Sequence, residues 1–440
     1  MSAGHPLPQP PPARGAGLQN DSPSPCGRGP GGGVKALHAA RLFTGEAMRR
    51  ETIVLIEDGR VRDLTDSPPP GVPLERLPQH LILTPGFIDV QVNGGGGRLF
   101  NDSPDLPTLR AIAAAHRRFG TTALLPTLIT DTPEKMRQAA ACVRAAMEAS
   151  ETGIIGLHLE GPFLNPARKG VHPEALIRPM DEDDLRFLCQ DTPRPLLLTL
   201  APECVDPNAL RRLAGAGVTV AIGHSAASFE QAWDALRAGA RGFTHLFNAM
   251  PPLAGRDPGP VGAALASDGY AGIIADGHHV HPASLRLALR AKGAERLMLV
   301  TDAMASVGSD IRAFALHGRT VRVAGGRLTT EDGTLAGAHL DMAGAVRNAV
   351  ALMGASLVEA LRMASATPAD FLGVRDRGRL VPGAAADIAA VDDRCVVDQV
   401  WVGGNRYETK SSPPSPLQRD EESRPDETGA RMGLRQRDTA

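Results

Sequence analysis

The middle of the chain alternates between short apolar runs, which predict buried strands, and longer stretches with the apolar spacing of helices. Helices are predicted over residues 105–119, 133–149, 208–216, 228–238 and 282–292, and the strands end near Val92, Pro126, Glu160, Ala201, His224, His245, Ala275 and Asp302. This α/β pattern builds a parallel sheet, either an open doubly wound sheet or, when eight units close, a TIM (β/α)8 barrel. Polar residues end strands throughout the set. Because a barrel brings all these ends to one mouth, we predict the barrel.

Two β-rich segments flank this region and predict a small β-sandwich domain built from both chain ends. Its first part is predicted over residues 34–84 and its second over 375–408, with the barrel at 85–374 between them. Residues 1–33 are rich in Pro and Gly, and residues 409–440 are charged and rich in Ser and Pro. Neither end has the apolar content to form a core, so both are predicted to be disordered tails.

Composition excludes several classes of protein. The 47 Lys and Arg residues nearly balance the 49 Asp and Glu residues, giving a net charge of −2. With no local basic stripe, we expect no nucleic-acid partner. No apolar run reaches membrane-spanning length and the N-terminal segment lacks the apolar core of a secretory signal, so we expect no membrane partner and a cytoplasmic protein. The 5 cysteines are scattered without a C-x-x-C pair, which suits a reducing compartment.

Three strand ends carry residues that bind transition metals. Glu160 follows the apolar run at 154–159 and is stopped by Gly-Pro, and His224 and His245 end two later apolar runs. Taken alone, Glu160 could equally be a solvated loop acid. One Glu and two His from separate strands, however, form a ligand set that leaves room for water, as in catalytic metal sites. Imidazole and carboxylate ligands favour zinc and also accept Fe, Co or Mn.

Asp302 ends the last predicted strand and is the candidate catalytic acid and base. A carboxylate beside a metal-activated water can take its proton and later pass it to a leaving amine, which describes amide hydrolysis. The alternative is a helix N-cap before Ala303 or a loop salt bridge. Its position at the eighth strand end favours the catalytic interpretation.

The motifs that contain these residues resemble the N-acetylglucosamine-6-phosphate deacetylases of the amidohydrolase superfamily. The resemblance covers about residues 34–404, in order, and rests on Pro85–Gly94, Leu157–His172, Gly223–Ser225, Thr244–Met250, Asp276–His279 and Thr301–Ala303. It implies one divalent metal on Glu160, His224 and His245, because Gln91 and Asn93 stand where many amidohydrolases carry a His-x-His pair for a second ion.

The resemblance also implies a substrate site. His172 matches a residue that helps polarise the acetamide carbonyl, although by itself it would be read as a surface loop histidine. Arg256, which alone would be a solvated loop residue, is expected to hold the 6-phosphate with His279 and backbone amides at 248 and 249, partly across a homodimer interface. The substrate-binding positions are Val171, His172, Asn248, Ala249, Arg256, Asp276, Gly277, His278, His279, Leu335, Ala336 and Gly337. Relatives usually have serines where this chain has Ala336 and Ala338.

The leading hypothesis is metal-dependent hydrolysis of the acetamide of N-acetylglucosamine-6-phosphate to glucosamine-6-phosphate and acetate. Two alternatives stay open: the same chemistry on the 4-epimer, N-acetylgalactosamine-6-phosphate, and a catalytically silent homologue that only binds sugar phosphates. His158, which shares a strand with Glu160, is predicted to be a core histidine with satisfied hydrogen bonds.

Overall fold

The structure is a computed structural model that describes residues 33–150 and 153–409. Apart from residues 33 and 409, the two predicted tails lie outside the described residues. None of the helices in the described part is both long and apolar enough to cross a membrane.

Strands occur along the whole length of the described residues. In chain order they are β1 Lys35–Phe43, β2 Met48–Glu57, β3 Arg60–Thr65, β4 Leu74–Arg76, β5 Ile82–Pro85, β6 Phe87–Val92, β7 Gly94–Gly95, β8 Arg98–Leu99, β9 Thr121–Ile129, β10 Leu157–Glu160, β11 Leu196–Leu200, β12 Thr219–Ile222, β13 Gly242–Phe243, β14 Tyr270–Ile273, β15 Leu297–Leu299, β16 Ala313–Leu316, β17 Arg319–Ala324, β18 Arg327–Thr330, β19 Ile388–Val391, β20 Val397–Val402 and β21 Asn405–Glu408.

The α-helices of the same residues follow the predicted rhythm closely. They are α1 Leu106–Arg117, α2 Pro133–Glu148, α3 Glu182–Arg186, α4 Pro207–Gly215, α5 Phe229–Arg237, α6 Gly259–Ala266, α7 Pro282–Lys292, α8 Met342–Asn348, α9 Leu357–Ala364 and α10 Ala366–Leu372. Side chains of Asp105, Thr132 and Ser228 accept backbone N–H groups at the starts of α1, α2 and α5. These caps satisfy amides that the first helical turn leaves unpaired.

The two ends of the described chain share one sheet, as predicted. Its order is β21-β20-β19-β5-β1-β2-β3, with β4 on β1. At the β3 edge, Val61 N donates to Ala384 O at 2.8 Å and Ala386 N donates to Gly59 O at 2.8 Å. The sheet therefore curls until β3 meets the segment before β19, and its inner face encloses a core of its own that includes Leu42, Leu83, Leu380, Ile388 and Trp401.

Eight parallel strands of the described residues form the barrel, in the order β15-β14-β13-β12-β11-β10-β9-β6. Hydrogen bonds from Asp302 N to Gln91 O, at 3.1 Å, and from Asn93 N to Ala303 O, at 2.9 Å, bring the ends of the first and last strands together. Most barrel strands are buried along their whole length, which explains their continuous apolar sequences. The predicted TIM barrel is confirmed, because its first and last strands meet and the sheet is closed.

A three-stranded antiparallel sheet, β16-β17-β18, lies in the connection between β15 and α8 and was not predicted. Leu316, Val321 and Leu328 from this sheet pack against Met304 and Leu99 near the barrel mouth. The residues that follow β18 lead directly into the cavity described below, so this insertion places part of the candidate substrate site.

Candidate active site

The predicted metal ligands lie at the carboxyl ends of barrel strands. Glu160 is the last residue of β10, and His224 and His245 each come two residues after the ends of β12 and β13. All three are buried, with 2%, 5% and 4% of their surface exposed. The barrel therefore brings together residues that are up to 85 positions apart in the sequence.

The ligand atoms of these three residues converge on one point. His224 Nε2 lies 3.1 Å from Glu160 Oε1, His245 Nε2 lies 3.0 Å from the same oxygen, and the two Nε2 atoms are 3.1 Å apart. Ligands about 2.1 Å from a shared divalent ion are themselves roughly 3.0–3.4 Å apart at octahedral to tetrahedral angles. The separations in this site fit such an ion.

The hydrogen bonding of His224 also suits a metal ligand. Its Nδ1 lies 2.8 Å from Arg168 O, and because a carbonyl only accepts, Nδ1 carries the hydrogen and Nε2 offers its lone pair to the cluster. The Nδ1 atom of His245 is buried and has no partner among the described residues. The donor set as a whole, two imidazoles and a carboxylate, is that of a divalent metal site.

Backbone conformation distinguishes the site from the rest of the barrel. His224, His245 and Asp302 have positive φ values of 48°, 30° and 51°. Non-glycine residues avoid this left-handed region, and such conformations cluster at functional sites because the surrounding fold must maintain them. Each residue follows a buried strand, so the left-handed turn redirects its side chain at the strand end.

The charge of Glu160 is stabilised by its neighbours. Burial alone would raise the pKa of this carboxyl group, but its contacts with the rings of His224 and His245 hold the pKa well below its usual value. Burial alone would lower the pKa of His245, but the hydrogen bond to Glu160 and its negative charge outweigh burial, so the pKa of His245 is raised. The cluster thus keeps an ionised carboxylate in a buried site, as a cation ligand requires.

Asp302 is held by two amides from the first barrel strand. Asn93 Nδ2 donates to Asp302 Oδ1 at 2.6 Å, and Gln91 Nε2 donates to the same oxygen at 3.3 Å. Gln91 Nε2 also lies 3.2 Å from both carboxylate oxygens of Glu160. The amides at the His-x-His position therefore serve as hydrogen-bond donors to the carboxylates.

The surroundings of Asp302 suit proton transfer near neutral pH. Burial, aided by the charge of Glu160, raises the pKa of Asp302 to about 6, while charge on His245 and His279 and the hydrogen bond from Asn93 oppose the increase. A general acid and base works best when its pKa is close to the working pH.

His172 also faces this cluster and is not a surface residue. It is 4% exposed, and its ring centroid lies 4.4 Å from that of His224. Glu160, His172 and His224 can each offer one ligand atom within 4.8 Å of one another. Burial holds the pKa of His172 well below its usual value.

A cavity of about 230 Å³ opens beside the metal cluster. It is lined by Glu160, His224, His245 and Asp302. The predicted substrate residues that also line it are Val171, His172, Asn248, Ala249, His279, Leu335 and Gly337. The cavity is also lined by Thr334 and by three apolar residues that were not predicted, Ile129, Ile274 and Met304. Apolar side chains on a cavity wall have the same sequence pattern as core residues, so nothing in their spacing indicated this role.

Five of the predicted substrate residues, namely Arg256, Asp276, Gly277, His278 and Ala336, do not line the cavity. Asp276 instead positions its neighbour: Oδ1 accepts the backbone N–H groups of His278 and His279 at 2.8 Å, and His279 Nδ1 lies 2.6 Å from Oδ2.

His278 Nδ1 accepts from Arg327 Nε in β18 at 3.1 Å. Arg256 is exposed, and Ala336 is buried beside β18. Substrate roles for these five, like those of the residues that line the cavity, stay predictions.

His158 has the core role predicted for it. Its Nδ1 lies 3.2 Å from the hydroxyl of Thr127 and its Nε2 lies 2.8 Å from the hydroxyl of Thr199, so both ring nitrogens are satisfied. Burial lowers the pKa of His158 to about 4, which keeps the ring neutral at physiological pH.

Comparison with known proteins agrees with this geometry. The amidohydrolase family pattern matches residues 82–407. An N-acetylgalactosamine-6-phosphate deacetylase from Shewanella sp. (strain ANA-3) is 49% identical over 324 residues, which is 73% of this chain and 82% of that protein. An N-acetylglucosamine-6-phosphate deacetylase from Haemophilus influenzae is 38% identical over 311 residues, 70% of this chain and 81% of the relative.

A solved structure gives the same result. The crystal structure of N-acetylglucosamine-6-phosphate deacetylase from Pasteurella multocida superposes with a TM-score of 0.82 at 35% identity, covering 85% of this chain and 100% of that chain. With the family pattern spanning both the barrel and much of the small β domain, and with relatives at this level of identity, the chain belongs to the amidohydrolase family.

Proposed function

We propose that this protein is a metal-dependent deacetylase that hydrolyses the acetamide of N-acetylglucosamine-6-phosphate to glucosamine-6-phosphate and acetate. The observation that carries the proposal is the convergence of Glu160, His224 and His245 within 3.0–3.1 Å of one another, on the cavity that Asp302 also lines. The deacetylase names of the relatives supply the substrate. One divalent ion per subunit is proposed, with zinc favoured and Fe, Co or Mn accepted by the same ligands.

Asp302 is proposed to carry the proton through the reaction. When bound, the divalent ion polarises the acetamide carbonyl and lowers the pKa of a water molecule towards 7. Asp302 takes a proton from the attacking water as the new C–O bond forms, and then donates it to the nitrogen as the C–N bond breaks. Gln91 and Asn93 hold the carboxylate of Asp302 in place by their amide N–H groups.

The sugar phosphate is proposed to bind on the loop side of the cavity. His279 and the backbone at Asn248 and Ala249 line this side, and N–H donors match the oxygens of a phosphate. Arg256 is exposed and outside the cavity of its own chain. We therefore propose a homodimer in which Arg256 of the partner subunit completes the phosphate site.

A second substrate is favoured by one observation. The relative at 49% identity is named for N-acetylgalactosamine-6-phosphate, whereas the Haemophilus influenzae relative at 38% identity is named for N-acetylglucosamine-6-phosphate. The two sugars differ only in the configuration of one hydroxyl, at C4. The same site chemistry serves both, so the 4-epimer is retained as the second candidate.

Acetate release from both sugars tests the proposal. Purified protein reconstituted separately with zinc, iron, cobalt or manganese is assayed for kcat/KM on each 6-phosphate, with elemental analysis of the metal bound. We expect turnover of at least one sugar at about one ion per chain. If the protein binds both sugar phosphates at full metal content but releases no acetate, the deacetylase proposal is wrong and the catalytically silent binding protein takes its place.

A further inference from the structure

The ring of His172 is hydrogen-bonded by Thr130, which comes immediately after the end of β9. Thr130 N donates to His172 Nδ1 at 3.3 Å, and the hydroxyl of Thr130 lies 2.8 Å from the same nitrogen. The hydroxyl also lies 3.4 Å from Glu160 O, so the shorter contact takes its hydrogen. Thr130 and His172 are buried, at 1% and 4% exposed.

These contacts determine which ring nitrogen of His172 carries the hydrogen. A backbone N–H can only donate, so Nδ1 must present its lone pair to Thr130. In a neutral imidazole the other nitrogen is then protonated. His172 therefore presents an Nε2–H group, with no lone pair at that atom.

The neighbouring histidine has the opposite arrangement. Nδ1 of His224 donates to Arg168 O, so its Nε2 presents a lone pair 3.1 Å from Glu160 Oε1. Two rings 4.4 Å apart in the same site are thus held in opposite tautomers by different backbone groups, a carbonyl for His224 and an amide N–H for His172. Distance alone would allow His172 to join Glu160 and His224 as a ligand, but its hydrogen bonding does not.

We infer that Thr130 is a positioning residue that holds His172 as a hydrogen-bond donor to the substrate's acyl oxygen and keeps it out of the metal's ligand set. The substrate half of this inference rests on the proposed function, and the tautomer half does not. A donor aimed at the oxygen on which negative charge develops stabilises the transition state more than the bound substrate.

The tautomer is measured directly on the zinc-loaded wild-type protein. Nitrogen-15 spectra of imidazole-labelled protein, assigned with His172→Gln, are expected to show a protonated Nε2 and an unprotonated Nδ1 for His172. His224 is expected to show the reverse. A metal-bound or unprotonated Nε2 on His172 would overturn the inference, and this result does not depend on whether the protein is a deacetylase.

Two variants test the catalytic consequence. Thr130→Val removes the hydroxyl and keeps the backbone N–H. We expect kcat to fall about 3- to 10-fold, the range for the loss of one neutral hydrogen bond. KM and metal content are expected to stay at the wild-type values. Thr130→Ser is expected to restore kcat. Because sulfur accepts hydrogen bonds poorly, the rate ratio between the acetamide and its thioacetamide analogue is expected to narrow in Thr130→Val.

The outcomes separate the two proposals. If the wild type releases no acetate from either sugar phosphate, the proposed function fails and the nitrogen-15 spectra still decide the tautomer. If the wild type is active but Thr130→Val matches it in kcat and in the acetamide-to-thioacetamide ratio, the positioning role of Thr130 is wrong. A Thr130→Val variant that loses kcat equally on both analogues would indicate a merely structural role and would also refute it.

Discussion

The two sides of the cavity differ in how their residues are positioned. On the strand side, Glu160, His224 and His245 sit at or just beyond barrel strand ends, are almost fully buried and lie in mutual contact. On the loop side, Arg256 is exposed, and the carboxylate of Asp276 contacts His279 and does not line the cavity. One side is complete within the chain, whereas the other depends on loop paths and, as we propose, on a second subunit.

This difference reflects the physics of the barrel. Strand register is set by parallel hydrogen bonds, so the strand ends meet at one mouth whatever the loops do. Loops have no such restraint and place their side chains through local contacts, such as the one between His278 and Arg327. The four variants below test the contrast between the two sides.

Removal of a strand-side ligand is expected to have the largest effect. His224→Ala takes away one of the three proposed ligand atoms, which lie 3.0–3.1 Å apart, so bound metal is expected to fall well below one ion per chain and acetate release to background. His281→Ala is the control, because His281 is exposed and only caps α7. Elemental analysis and an acetate assay measure both quantities. Full metal content in active His224→Ala would refute the ligand assignment.

Asp302→Asn is expected to separate proton transfer from metal binding. The substitution keeps the shape of the side chain but removes the carboxylate that we propose carries the proton, so kcat is expected to fall about 10²–10⁴-fold, while metal content stays at wild-type level. Asp310→Asn, an exposed acid eight residues later, provides the control and is expected to retain activity. Retained activity in Asp302→Asn would assign the proton transfer to another residue.

The same contrast explains what the sequence could predict. The barrel, the two-ended β domain and the convergence of Glu160, His224 and His245 were all predicted, because apolar runs that end in a polar residue place that residue at the mouth. The left-handed backbone conformation of His224, His245 and Asp302 could not be predicted. Glycine is the usual residue in this conformation and would have indicated it, whereas histidine and aspartate do not.

Other features could not be predicted because they depend on three-dimensional contacts. The strands of the insertion β16-β17-β18 are partly exposed, so they lack the continuous apolar run that marks the buried barrel strands. The role of Thr130 depends on a backbone N–H that meets a ring 42 residues away. The resemblance identified Asp276 as a binding residue, but its carboxylate contacts His279, a distinction that the sequence motif does not contain.

Arg256→Ala is expected to have an intermediate effect, on binding more than on turnover. Loss of a charged hydrogen-bond donor to phosphate costs about 1.5–3 kcal/mol, or roughly 10- to 100-fold in kcat/KM for the 6-phosphate. Unphosphorylated N-acetylglucosamine is expected to be a poor substrate for both proteins and to change little. Arg290→Ala, an exposed arginine on α7, is the control. An equal loss on both sugars would place Arg256 outside phosphate recognition.

The smallest effect on catalysis is expected from Asp89→Asn, because Asp89 lies in the strand behind the cavity. Its Oδ2 accepts the hydroxyl of Thr301, and its Oδ1 accepts the backbone N–H of Gln91 at 3.2 Å. Burial, opposed by these hydrogen bonds, raises the pKa of Asp89 from 3.8 to about 7. Asparagine keeps an acceptor and fills the same space, so kcat is expected to change only slightly.

The effect of Asp89→Asn on stability should depend on pH with a definite sign. Because the folded protein binds the Asp89 proton more tightly, the stability that Asp89 contributes is fully present below about pH 4 and is lost as pH rises through about 7. The interval from 3.8 to about 7 corresponds to at most about 4 kcal/mol. The free energy of unfolding of the wild type, measured by denaturant titration of the metal-loaded protein, should therefore fall relative to that of Asp89→Asn between pH 5 and pH 8. Parallel curves would mean that Asp89 is already ionised in the folded protein across this range. In that case the hydrogen bonds from Thr301 and Gln91 would stabilise a buried charge within the first barrel strand, behind the strand-side residues of the cavity.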